Sequence, residues 1–229
     1  MNTVLVNCTF YPLSALTFAV LVAQATSFHA IDDCKGPITG HLIYDPKAPA
    51  KFGSFKKAIP AHTSHSVIGS RTNVVIKQFF YRDPITLQVL TYDNASQVKK
   101  LSAELNCLRW GSSLMTDVYV FVNKFIALHS APKFSVPQMR FVRAALAVLD
   151  NDAHDTFLVE ESIGDGTDAF VKYLGNASTK PPDGLIGEAS YRAKFLVFCQ
   201  HVQYIKTKGS AFIGDFQGTY RISFRVLYI

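Results

Sequence analysis

The short run Gly214-Asp215-Phe216-Gln217-Gly218 puts a carboxylate and a carboxamide two residues apart between glycines. Asp215 and Gln217 offer hard oxygen donors, which Mg²⁺ prefers, and the flanking glycines permit close backbone approach. An ordinary Asp turn reads the same way. Three other places carry residues of comparable interest. Lys77 stands alone in the apolar run Asn73-Val-Val-Ile-Lys-Gln-Phe-Phe-Tyr; an ammonium facing inward there needs an anion. Glu104 falls about 60° from the Leu101/Leu105/Leu108 stripe of a helical segment, at the edge of the core-facing side, so Lys77 and Glu104 would satisfy each other. The alternatives are a lysine on the solvent face of an edge strand and a surface glutamate. Gly53-Ser54-Phe55-Lys56 combines a small loop with a cation, which suits phosphate, or it is a plain hairpin turn. Glu160 and Glu161 end the strand Phe-Leu-Val-Glu-Glu, where a carboxylate accepts an amine proton or simply meets solvent.

These residues need elements to position them. Asn73 to Asp83 reads as a strand, rich in β-branched and aromatic residues. Residues 96–128 read as a long helix with Ser96 as N-cap. Ile38 to Pro46 is a short strand closed by Asp-Pro, and 141–150 is a short helix or strand. Residues 155–163 form a buried strand. A loop rich in Gly, Pro and Asp follows, with Ala169 to Tyr173 as a strand inside it. Residues 187–209 form an amphipathic helix, and Ala211 to Ile213 is a last strand. Strands come first with helices after and between, so the class is α+β.

The chain has 229 residues, 48% hydrophobic and 17% charged, a globular composition with enough length for one large domain or two lobes. The net charge of +6 is scattered, with no basic block, which argues against nucleic acid as the partner. Cys8, Cys34, Cys107 and Cys199 make no CxxC pair and read as free thiols of a reducing compartment. Pro12 to Ala25 is apolar and ends in Ala-Gln-Ala, but no Lys or Arg precedes it. It is too short and too interrupted for a membrane span. Residues 1–37 are therefore read as a leader, disordered or signal-like, and the chain as cytoplasmic. Secretion as a basic binding protein, with sequons at Asn7, Asn94 and Asn176, is a minor reading.

In order along the chain, GSFKKAIP, VVIKQFFYRD, AELNCLRWGSSLMTDVYVFV, FLVEESI, FVKYLGN, FLVFCQHVQYIKTKG and FIGDFQG resemble the alpha-kinases, atypical protein kinases, and fungal alpha-kinase-like proteins above all. The resemblance covers roughly Ile38 to Gly218. It implies a two-lobed protein-kinase-like fold of the alpha-kinase type with an incomplete C-terminal lobe, the N-lobe about 38–158 and a partial C-lobe about 159–229. It implies an ATP-dependent serine/threonine protein kinase with ATP and Mg²⁺ as cofactors and a protein substrate. Lys77 then matches the phosphate-binding lysine and Glu104 its helix partner. Gly53 and Lys56 match the glycine-loop region, and Glu160 the hinge acid facing the adenine amine. Lys172 and Asn176 lie near the nucleotide, and Asp215 and Gln217 match the Mg²⁺-binding D-x-Q. Lys77, Glu104 and Asp215 are the expected catalytic set. The sequence departs from the family after Gly218, where a T-D-P-Q segment with the catalytic Asp is normal and TYRISFRVLYI stands instead. Of the family's zinc ligands only His201 is matched, so no structural zinc is expected. These departures keep open the alternative of an inactive nucleotide-binding pseudokinase or interaction module.

Overall fold

A computed structural model describes residues 2–24, 28–69, 72–163, 170–175 and 178–219. The chain divides into two compact units. The first takes Met1–Ser14, Ser27–Asn106 and Arg143–Ser162; the second takes Ala15–Thr26, Cys107–Val142 and Ile163–Ile229. The N-lobe read from the sequence ran unbroken over 38–158. The structure differs by assigning the stretch from Cys107 to Val142 to the second unit, because the long helix passes from one unit into the other.

The first unit is built on antiparallel strands: β1 (Val4–Pro12), β2 (Ile38–Tyr44), β3 (Lys51–Phe52), β4 (Lys56–Thr63), β5 (Asn73–Arg82), β6 (Val89–Thr91), β7 (Ala144–Leu149) and β8 (Thr156–Glu161). Their order is β3-β4-β2-β1-β7-β8-β5-β6, and β4 also pairs with β5. That second pairing closes β4, β2, β1, β7, β8 and β5 into a barrel, which leaves these strands no open edge. Side chains alternate across each strand, so one set fills the interior: Cys8 and Phe10, Leu42, Ile59 and Ala61, Val74 and Ile76, Ala145, Ala147 and Leu149, Phe157 and Val159. Each fully buried aliphatic side chain there contributes about 1.5–3 kcal/mol from area removed from water.

Strand β1 corrects the reading of residues 1–37 as a leader. Val4–Pro12 pairs with β2 from Val4↔Tyr44 to Phe10↔Ile38, and with β7 from Cys8↔Leu149 to Pro12↔Ala145. The burial of its side chains alternates from Val4 to Phe10, which the apolar run after it obscured. Among its described residues that run holds the six-residue helix α1 (Phe18–Ala23), capped by the Thr17 hydroxyl accepting from Val20 N. No described helix is long and apolar enough to cross a membrane.

Helix α2 (Asn94–Leu128) begins two residues earlier than the sequence indicated, and Ser96 is not its cap. The Asp93 carboxylate accepts from Ser96 N at 2.9 Å and from the Ser96 hydroxyl at 2.8 Å. Segment 141–150 resolves as the strand β7, all but one of whose side chains are buried.

The second unit holds the rest of α2, helix α3 (Gly187–Lys206), and the two-residue strands β9 (Val171–Lys172) and β10 (Gln217–Gly218), paired antiparallel. Its buried side chains include Leu114, Met115, Val118, Tyr173, Leu196, Cys199, Ile213 and Phe216. The Tyr119 hydroxyl accepts from Met139 N at 2.7 Å and donates to the Pro137 carbonyl at 2.9 Å. Ala211–Ile213, read as a strand, carries no ladder partner here; the strand lies later, at Gln217–Gly218.

Candidate functional site

In the first unit the candidate residues lie on the outside of the barrel. Ile76 and Gln78 face the other way, so Lys77 shares the outer face with Val75 and Phe79. Strand β8 pairs Val75↔Glu160 and Lys77↔Leu158, which makes Glu160 the diagonal neighbour of Lys77 on that face. The two form an ion pair, Lys77 Nζ to Glu160 Oε2, with 3% and 2% of the side chains exposed. A charge so far from water needs its counter-charge close by. Glu104 pairs instead with Lys56. The pairing of Lys77 with Glu104 expected from the sequence is thus replaced by two other pairs. The physical reason is register: β4 places Lys56 opposite Phe79, two pairs beyond Ala58↔Lys77, and β8 brings Glu160 alongside Lys77.

Gln97, which the sequence reading did not single out, holds α2 in place. Its carboxamide accepts from Phe79 N at 3.0 Å and donates to Phe79 O at 2.7 Å. It thereby serves Phe79 as a strand would, beyond the point where the β8 pairing stops. Glu104 follows Gln97 by seven residues, two helical turns, and so lies on the same side of the helix. The Lys56 ammonium also stands 5.5 Å from the centre of the Phe79 ring, and Lys100 at 5.7 Å. Gly53 is in the tip of the β3–β4 hairpin, with its N–H donating to Lys56 O at 2.9 Å. Glu161 has a different task from Glu160: its carboxylate accepts from Arg143 N at 2.7 Å, tying β8 to the start of β7. Of two clefts of this unit, the one of about 860 Å³ over β1 and β2 is lined by none of these residues, and the one of about 410 Å³ beside Tyr44 and Lys57 is lined by Gln97 alone among them.

In the second unit Asp215 sits between two anchored residues. Gln203 accepts from Ile213 N at 2.9 Å, and Gln200 donates to Ile213 O at 2.8 Å. On the other side, Phe216 O accepts from Tyr173 N at 2.8 Å and from Leu174 N at 3.1 Å. Between these clamps Asp215 takes φ 48°, the left-handed region that few residues other than glycine adopt, though Asp is among the more tolerant. Its side chain is 1% exposed, and its Oδ1 lies 2.9 Å from Nζ of Lys172, which is 53% exposed. Gln217 stands opposite Lys172 in the β9–β10 ladder. Asn176 lies outside the described residues. Gln200 and Gln203 were also missed; their only signal is two amides three residues apart on the buried face of an amphipathic helix.

His201 is exposed on α3, whereas Cys199 is fully buried, which pushes its thiol well above the ordinary range. Among the described residues no three His, Cys, Asp or Glu side chains gather as a metal-binding group. That does not exclude Mg²⁺, which is bound through one or two carboxylates with water and phosphate completing its shell. The chemistry of the Asp215 position fits a cation, since an ammonium already stands on its carboxylate as a stand-in.

The alpha-kinase family profile matches residues 51–227. No curated protein sequence matches the chain. Among solved structures it is similar to the alpha-kinase domain of myosin heavy chain kinase A in complex with AMP, with a TM-score of 0.54 and 8% identity over 97% of this chain and 83% of that one. The same kinase's domain in complex with ADP gives a TM-score of 0.51 and 11% identity over 96% and 80%. A mutant catalytic domain of that kinase gives 0.52 and 10% over 97% and 82%. At such identities these matches speak for the fold, while the profile spans more than half of the chain: it belongs to the alpha-kinase family.

Proposed function

We propose that the chain is an ATP-dependent protein kinase that transfers the γ-phosphoryl group to serine or threonine hydroxyls of a protein substrate. The observation that carries this reading is Lys77, an ammonium buried on the outer face of a barrel strand with a carboxylate fixed beside it, in a chain of the alpha-kinase family. Nucleotide in two of the similar structures adds support.

The reading asks one thing of each unit. From the first, Lys77 offsets phosphate charge, Glu160 orients that ammonium and accepts from the adenine amine, and Glu104 holds Lys56 ready beside the Gly53 hairpin. From the second, Asp215 and Gln217 hold Mg²⁺, with Lys172 and Asn176 near the nucleotide. Mg²⁺ when bound supplies neutralisation of the phosphate oxygens. The clamps on Ile213 and Phe216 keep the Asp215 carboxylate in one place before any ligand arrives, so little ordering cost remains at binding.

The test is calorimetric titration with Mg-ADP, paired with ³²P transfer from ATP to a generic basic protein. Wild type should bind and transfer, and Lys77→Arg should lose most of both while remaining folded by circular dichroism. Binding unchanged in Lys77→Arg and Lys77→Ala would overturn the assignment of Lys77. Binding without transfer would leave the chain a nucleotide-binding module of the kind the sequence departures suggest.

A further inference from the structure

The inward side chains of the barrel are apolar along most of their length and turn polar at one end. On β4 Lys57 continues the inward set of Ile59 and Ala61; opposite it in the ladder, Gln78 continues that of Val74 and Ile76 on β5. Tyr44 continues Leu42 on β2, and Asp155, just ahead of β8, continues Phe157 and Val159. These four polar groups border the cavity of about 410 Å³, a size and a barrel-mouth position that suit a small ligand. The link from β6 into α2 forms another wall. Asn94 Nδ2 fastens that wall to the β7–β8 turn by donating to Ala153 O at 2.6 Å and to His154 O.

Two opposite charges share this cavity without meeting. Among the described residues Lys57 and Asp155 form no ion pair, and the Lys57 ammonium makes no hydrogen bond. Partial burial pulls Lys57 below its ordinary value, with the Asp155 charge acting the other way across the space. Burial first, and then the same negative charge, raise the Tyr44 hydroxyl. Asp155 Oδ2 accepts from Asn151 Nδ2 at 3.0 Å, while Oδ1 has no donor among the described residues. Gln78 is 8% exposed; its Nε2 donates to Thr156 O at 3.2 Å and its Oε1 likewise has no donor. Asp93 also borders the cavity, but its carboxylate is committed to Ser96 at the start of α2. A simple anion here would face Asp155, and a simple cation would face Lys57. A ligand carrying both charges answers both groups, and Ile59 with the Tyr44 and Phe157 rings, edge to face at 5.8 Å, offers it an apolar patch. We propose that this cavity binds a free α-amino acid with an apolar side chain, its carboxylate on Lys57, its ammonium on Asp155 and its side chain against Ile59 and Phe157. The site stands apart from the kinase reading: Lys77 faces the opposite side of β5 from Gln78, and Gln97 alone of the candidate-site residues borders the cavity.

Calorimetric titration of the full chain with L-leucine and L-phenylalanine tests this. Each is run beside its amide, which lacks the carboxylate, and its deaminated acid, which lacks the ammonium. At least one of the two amino acids should bind with a Kd of about 1 mM or tighter, and should exceed both of its analogues about tenfold or more. In Lys57→Met the advantage over the amide should vanish; in Asp155→Asn the advantage over the deaminated acid should vanish. Lys194→Gln on α3 should match wild type. Lys57→Met removes an ammonium that holds no other element in place, so it should fold as wild type does by circular dichroism. The proposal is overturned if neither amino acid binds within that range. It is equally overturned by an amide that binds as well as its amino acid, the result for a peptide amino terminus, or by an advantage that persists unchanged in its variant. If Asp155→Asn fails to fold, the Lys57→Met comparison and the deaminated acids on wild type decide alone.

Discussion

Replacing Lys77 by Met removes one charge of an ion pair whose partners are 3% and 2% exposed. The Glu160 carboxylate then stays buried without its ammonium, a change that costs about 3–5 kcal/mol. Against a total stability of about 5–15 kcal/mol, that is a third or more in many cases. Lys56→Met breaks the pair with Glu104, where exposures of 15% and 16% give water some access; its cost should be smaller, roughly 1–2 kcal/mol. The discriminating variant is double. Lys77→Met with Glu160→Leu removes both charges and should recover most of the loss, whereas Lys77→Met with Glu104→Leu should recover none. Urea unfolding of wild type and the four variants, with the denaturant slope held common, measures each difference. Rescue by Glu104→Leu rather than Glu160→Leu would restore the pairing first read from the sequence and refute the register argument. A Lys77→Met cost below about 1 kcal/mol would show that the pair is not buried in solution. Nucleotide binding by Lys77 variants must accordingly be measured on protein shown to be folded.

Asp215→Asn should change stability little, because Asn tolerates the left-handed region, while Asp215→Ala should cost about 1 kcal/mol more from backbone strain; calorimetric melting of the two compares them. Gln203→Leu leaves the buried N–H of Ile213 without its acceptor and should cost about 1–3 kcal/mol, read by urea unfolding. The Cys8 thiol, pushed up to about 12 by burial in the barrel interior, should resist iodoacetamide at pH 8 in folded protein and react on unfolding, as seen by mass spectrometry. Because the folded value lies above the ordinary 9.0, the contribution of Cys8 is constant below about pH 9 and becomes destabilising as pH rises from there toward 12, where the unfolded chain sheds a proton the folded chain retains.

The elements were legible where local pattern decides them. Asn73–Arg82 is β-branched and aromatic, and the long helix shows its leucines at helical spacing, so both came out within a residue or two. Val4–Pro12 was not legible as a strand, because the apolar residues after it drew it into a supposed leader. Its place between β2 and β7 depends on pairings 28 and more residues away. Closure of the barrel through β4 and β5 is equally nonlocal. A local sequence reading could name strands, but not that one strand pairs on both sides with partners that complete a ring.

At the candidate site the types of residue were legible and their partners were not. Lys77 and Glu104 were singled out as charges in places where charge is costly, Lys56 as a cation beside a small loop and Glu160 as a carboxylate at a strand end. Which cation meets which anion, however, is set by a two-residue shift along β4 and by the run of β8 past β5. The same limit explains the missed glutamines. An uncharged amide costs little on a helix surface, so nothing in the sequence marks Gln97, Gln200 or Gln203 as special. Their importance comes from the backbone groups they serve: Phe79 beyond the end of its ladder, and Ile213 in a segment without one. Buried main-chain N–H and C=O groups must find partners, and where regular structure stops, a side-chain amide is the residue that offers both a donor and an acceptor. These amides fix the helix that carries Glu104 and the turn that carries Asp215. Charged residues supply the chemistry of the candidate site, and neutral ones determine where that chemistry stands.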